Sequence, residues 1–236
     1  MGTVDFHVRP HEIVRHPLAE ALTFTAGARR LGVVSAIGTV LLIAVYTVTL
    51  VAGLLSLQSP SQPIDDPLFL VLEILIILLM PFMVAPMVAV HAWAPVESKV
   101  FSLTALVFMS LLAGLTCSLH FVILTISRHP AFSELALTPL LLSFTWPSVA
   151  YALDILAWDV FFALSVLFAV PVFSGSRFAI LIRVLLAASG ALALAGLSGV
   201  IAGDMRLRNI GIVGYVGVFP IAAVLLATLF HRTVPR

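Results

Sequence analysis

The stretch that decides the fold is Tyr151 to Phe173, "YALDILAWDVFFALSVLFAVPVF", a run apolar enough to cross a bilayer that nevertheless carries two aspartates, Asp154 and Asp159. A helix needs ~20 predominantly apolar residues to traverse ~30 Å of hydrocarbon, and this run supplies them. Charged side chains are rare inside such helices and, where they occur, they turn towards the bundle interior and find partners. The stretch therefore poses two questions: how many similar helices surround it, and what meets its carboxylates.

Five further blocks of the same kind flank it. The six together are residues 32–57, 67–91, 100–126, 151–173, 178–203 and 209–230. Of the 236 residues 61% are hydrophobic and 10% are Asp, Glu, Lys or Arg, against about 25% charged in an ordinary soluble domain. The mean hydropathy of +1.19 agrees, and the apolar residues lie in long blocks without an amphipathic period. The expected fold is all-α: a polytopic helical bundle of about six transmembrane helices, with the lipid bilayer as its first partner.

Six spans place both termini on one side. Residues 1–31 carry Arg9, Arg15, Arg29 and Arg30 and no apolar run, which fits an amino-terminal cytoplasmic segment followed by an uncleaved signal anchor. Lys99, Arg177, Arg183, Arg232 and Arg236 fall on the same side, and the excess of basic residues there orients both termini, including a tail at 232–236, towards the cytoplasm. The arginine-dominated basic set and the Ala, Leu and Val of the apolar runs fit the cytoplasmic membrane of a bacterium. Arg128, Arg206 and Arg208 fall outside. Asp204 and Arg208, four apart, can pair along a helix end and neutralise their loop.

Between the third and fourth spans, "SRHPAFSELALTPLLLSFTWPSVA" is too broken by proline to form a seventh span. Residues 136–149 read as an interfacial or re-entrant segment, with Trp146 at the headgroup boundary. Pro81, Pro86, Pro171 and Pro220 each remove a backbone donor from a span and can kink it. In the fifth span Ala187, Ala191, Ala195, Gly199 and Gly203 recur every fourth residue, a small-residue ridge that permits close helix approach in lipid. Gly211, Gly214 and Gly217 answer it from the sixth span, so spans five and six are expected to form an intimate hairpin. The same ridge would also serve a homo-oligomer or another membrane protein.

No strong enzyme signature is present: no HExxH, GxSxG, phosphate loop or dinucleotide glycine fingerprint. No catalytic residue and no cofactor is assigned. A net charge of +1 gives no field for nucleic acid. Cys117, the single cysteine, stands at i and i+3 with His120, but a buried thiol beside a hydrogen-bonded imidazole explains the pair more simply than a metal site. His7, His11 and His16 read as a solvated polar tail interrupted by Pro10.

What remains is a layer of ionisable groups. Counting ~1.5 Å per residue inward from the outer end of each span puts Glu73 at ~9 Å, His120 at ~9 to 10 Å, Asp154 at ~5 Å and Asp159 at ~12 Å. They are expected to line one outward-opening polar pocket, with Asp154 at its rim or capping its helix. At ~100° per residue Asp154 and Asp159 stand ~140° apart, so both cannot face one partner. Three functions fit: a structural, accessory or sensory membrane protein; a transporter of a small solute, ion or proton; or an intramembrane hydrolase or lipid-modifying enzyme. The polar layer fills only the outer half of the bilayer and no inverted repeat is visible, which favours the first.

Overall fold

In the computed structural model, residues 24–59, 62 and 64–235 are described, and the histidines and arginines of the first 23 residues lie outside that set. Six helices are long and apolar enough to span a membrane: α1 (Ala26–Leu55), α2 (Leu68–Trp93), α3 (Val96–Thr125), α4 (Val149–Val172), α5 (Arg177–Ala202) and α6 (Asn209–Arg232). Two short helices, Pro130–Ser133 and Thr138–Leu142, lie between α3 and α4. No strand occurs among the described residues. The near end of the bundle is the end at which α1 begins, and the far end carries the connections after α1, α3 and α5.

Each start has a local cause. The Thr25 hydroxyl accepts from Ala28 N–H at 3.1 Å, which begins α1 at Ala26 rather than at residue 32, where the apolar block starts. Ser148 caps α4 by accepting from Tyr151 N–H at 3.1 Å, a role that Asp154 therefore does not fill. Ser176 caps α5 in the same way.

The spans pack in chain order as a closed ring, each on the next, with α6 returning to α1. The most enclosed span is α4: 56% of its most apolar window is buried, against 28% in α1. The core is sulfur-rich and aromatic, with Met80, Met83, Met87, Met109, Phe162, Phe219 and Phe230 almost fully buried. Val34, Val48, Leu41 and Val100, by contrast, are largely exposed. In water such a surface would drive association, and hydrocarbon solvates it.

The prolines of α2 leave carbonyls without a helix donor, and neighbouring spans supply one. Pro86 cannot bond the Phe82 carbonyl, which accepts from Thr39 Oγ1 of α1 at 2.6 Å. Pro81 likewise frees the Ile77 carbonyl, which faces Cys117 Sγ of α3 at 3.9 Å. The hydroxyls of Ser165 and Ser189 donate across helices to the Ala105 and Gly214 carbonyls at 2.8 and 2.9 Å. In lipid, an unmet carbonyl is costly, so these bonds fix which helices are neighbours.

The α5–α6 hairpin is close, but the ridge expected to build it is not the contact. Ala191, Ala195 and Gly203 are exposed, as is Gly217. A four-residue repeat advances ~400° per step, so it drifts ~40° each time and leaves the interface. The buried face instead runs Ser189, Ala193, Gly196, an i, i+4, i+7 pattern that stays on one side. A Cβ on Gly196 would come within 3.1 Å of the Gly211 backbone, and one on Gly214 within 2.6 Å of the Ser189 carbonyl. Gly199 packs against the connection after α5, where a Cβ would meet Arg208 N at 2.9 Å. Gly203 ends α5 at φ +68°, a left-handed conformation that suits glycine and turns the chain back.

Candidate functional site: a buried ionic cluster at the far end

Two π-type turns shape the inner wall of the site. In α4 the segment Leu156–Phe162, and in α6 the segment Val213–Val218, wind with wider turns than an α-helix. They face each other through aromatic rings: Trp158 and Tyr215 lie 5.0 Å apart between centroids, and Phe162 meets Tyr215 and Phe219 edge-on at 5.9 and 5.1 Å. Wide turns of this kind recur at functional sites because they re-aim a side chain without breaking the helix.

Asp159 is the side chain re-aimed here. An ideal helix would separate it from Asp154 by ~140°. The wider winding begins at Leu156, two residues after Asp154, and reduces that offset. Both carboxylates consequently reach one cation, contrary to the expectation from an ideal period. Arg208 NH2 donates to Asp154 Oδ2 at 2.7 Å, and Arg208 Nε donates to Asp159 Oδ2 at 3.1 Å.

Arg208 is the residue that sequence reasoning assigned elsewhere. Its guanidinium does not pair with Asp204, which instead accepts from Arg206 N–H at 3.0 Å within its own turn. The chain folds back at Gly203 and against Gly199, and this directs Arg208 into the bundle, where 6% of the residue is exposed. Its guanidinium also lies 4.6 Å from the Tyr151 ring centroid. Burial opposes its charge, but the Asp154 carboxylate, with Tyr215, Tyr151 and Asp159 behind it, more than reverses this and raises its pKa.

A second link extends the cluster to α2 and α3. His120 Nδ1 and Glu73 Oε2 are 2.9 Å apart, and His120 Nε2 lies 3.9 Å from Asp154 Oδ1. Glu73, His120, Asp154, Arg208 and Asp159 thus form one continuous chain across three spans and a connecting turn. Side-chain exposure is 3% at Glu73, 6% at His120, 13% at Asp154, 7% at Arg208 and 0% at Asp159, so the groups are enclosed and do not line an open mouth. Cys117 does not join His120, since its sulfur faces the Ile77 carbonyl.

The connection between α3 and α4 covers the cluster. Phe144 stacks on His120 with centroids 5.1 Å apart, and Trp146 meets Tyr151 edge-on at 6.4 Å. Thr138–Leu142 is a single short helix within the segment read as interfacial. Beside it Arg128 pairs with Asp66 at 2.8 Å and ties two far-end connections together, at 34% and 55% side-chain exposure.

The inner end of the chain is incomplete. Among the described residues Asp159 Oδ1 is buried with no hydrogen-bond partner, as is Thr116 Oγ1, one turn inward of His120 on α3. The wall against Oδ1 is made of glycine: a Cβ on Gly211 would come within 2.4 Å of it, and one on Gly196 within 3.0 Å. The glycines that bring α5 and α6 together are therefore the same residues that admit the Asp159 carboxylate.

No family model, curated protein or solved structure matches this chain. The fold and its far-end cluster define the class: an all-α helical bundle and a multi-pass integral membrane protein.

Proposed function

We propose that this chain is a structural, accessory or sensory membrane protein whose far-end ionic cluster locks the α5–α6 hairpin onto α2, α3 and α4. The carrying observation is the bridging of Asp154 and Asp159 by Arg208, with His120 joining Asp154 to Glu73. Side chains that bridge three spans and a connecting turn in an enclosed site favour a lock over a solute path, which needs groups that open to water. The near half of the bundle supports the same reading, because its buried polar groups are serine and threonine bonded to backbone carbonyls.

The distribution of basic residues supports a bacterial cytoplasmic membrane with both termini in the cytoplasm, so that the cluster belongs to the outer leaflet. Exposed apolar faces on every span leave room for a membrane-protein partner or a second copy beside the lipid.

Purified protein in sealed vesicles tests the proposal. Under an imposed pH gradient and a panel of ions and small solutes, flux should equal that of empty vesicles, while Asp159→Asn should lower the melting temperature in detergent. Uptake by the natural protein that depends on pH and disappears in Asp159→Asn would replace the lock with a transport pathway.

A further inference from the structure

The cluster does not balance its charge. It holds three carboxylates, Glu73, Asp154 and Asp159, against one guanidinium and one imidazole. Even with His120 doubly protonated and donating from both ring nitrogens, one negative charge is left over. Water does not reach most of these groups, so the excess charge must be neutralised within the cluster.

The geometry narrows the place. Asp154 is the most exposed of the three carboxylates and is held by Arg208 and His120. Glu73 Oε2 is paired with His120 Nδ1 at 2.9 Å. Asp159 alone has an oxygen that is fully buried and meets no donor. An anionic oxygen in that position would be unsolvated and unpaired, whereas a carboxylic acid there is neutral and becomes a donor itself. The Ala193 carbonyl lies on the same wall, 3.3 Å from the point a Gly211 Cβ would occupy. The amide that would bond it in a regular helix, Leu197 N–H, turns to the Leu194 carbonyl at 3.1 Å.

Close packing separates a proton from a metal ion. A bound cation gathers several oxygen ligands at more than 2 Å on all sides, but backbone atoms of Gly196 and Gly211 stand where ligands would have to be. A proton needs no such shell.

We propose that Asp159 Oδ1 is a proton-binding site, loaded from water at the far face. Loading breaks one O–H bond of hydronium, which becomes water, forms one O–H bond on Asp159 and takes the cluster from one excess negative charge to none when His120 is charged. The groups that face the site are Asp154 and Tyr151 on α4, Glu73 on α2, His120 on α3, Arg208 in the connecting turn and Tyr215 on α6, with Tyr46 of α1 near Asp154 and Glu73. α5 contributes the Gly196 and Ala193 backbone. Phe144 over His120 and Trp146 over Tyr151 cover the way in. This inference deepens the proposed lock and gives it a ligand, the proton, whose occupancy is read without any flux measurement.

Infrared spectroscopy of the full chain in lipid at neutral pH tests it. The natural protein should show a protonated-carboxyl C=O band that shifts with deuterium oxide and with ¹³C-aspartate, stays fixed with ¹³C-glutamate, survives in Asp204→Asn and is lost in Asp159→Asn. If Asp159→Asn does not accumulate, Asp154→Glu decides, since it keeps the charge count and the band should stay on the aspartate label there. Absence of the band, its response to labelled glutamate in the natural protein, or its move from the aspartate to the glutamate label in Asp154→Glu would overturn the inference. None of these results would by itself remove the lock, whose test is stability and flux.

Discussion

The two ends of the bundle carry charge in opposite ways. At the near end, Lys99 donates to the His91 and Ala92 carbonyls at the carboxyl terminus of α2, Arg29 donates to the His231 carbonyl and Arg232 lies 5.7 Å from the Phe178 ring centroid. These cations meet helix-end carbonyls or ring faces where solvent and salt can reach them, and stacked Trp93 and Phe173, 5.6 Å apart, close the core beneath. At the far end, one arginine and one histidine are sunk among three carboxylates. An exposed charge can lose its partner to water at little cost, but a buried one has no substitute. Substitutions should therefore be tolerated among the near-end cations and rejected in the buried far-end cluster.

The largest effect expected from that contrast is at Arg208. Arg208→Met removes the shared cation and leaves Asp154 and Asp159 buried together, which should cost about 3–5 kcal/mol. Chemical denaturation in mixed micelles, with Arg232→Met as the near-end counterpart, would show it, and equal effects of the two variants would erase the distinction between the ends. A smaller loss is expected at Gly211. A leucine there would drive its Cβ to 2.4 Å from Asp159 Oδ1, and overpacking of this kind costs about 1–3 kcal/mol. Gly217→Leu, at an exposed position, should leave thermal stability unchanged. The smallest effect belongs to the half-exposed Arg128–Asp66 pair, where Arg128→Ala should change stability by less than about 1 kcal/mol, the usual range for a solvent-accessible ion pair. Added salt should shrink that difference further while leaving the Arg208 effect in place.

The six spans were legible because hydrocarbon imposes a length and a composition that few other environments demand. Counting depth along each span also put Glu73, His120, Asp154 and Asp159 in one layer, and the structure brings these four into one cluster. The angular argument failed for the two aspartates because it assumed an ideal period, and nothing in "LAWDVFF" marks the π-type turn at Leu156–Phe162. Arg208 was lost to a local rule: Asp204 stands four residues away, whereas Asp154 and Asp159 are 54 and 49 residues away in sequence. A signal was available in the charge count, since three carboxylates in a lipid-embedded layer require a cation and Arg208 sits at the start of the next span. The small-residue ridge misled because four-residue spacing looks like one face but drifts off it, while Ser189, Ala193 and Gly196 hold the interface with fewer glycines.

The central claim is that the far-end charges act as one unit, and a double-mutant cycle between Asp154→Asn and Arg208→Met measures this most directly. Each single variant should be strongly destabilised. The double variant should recover part of the loss, with a coupling energy of about 0.5–3 kcal/mol, because removing both partners strands one buried carboxylate fewer than Arg208→Met alone. Additivity of the two losses within about 0.5 kcal/mol would contradict the account and leave Arg208 and Asp154 as independent residues that merely lie close together.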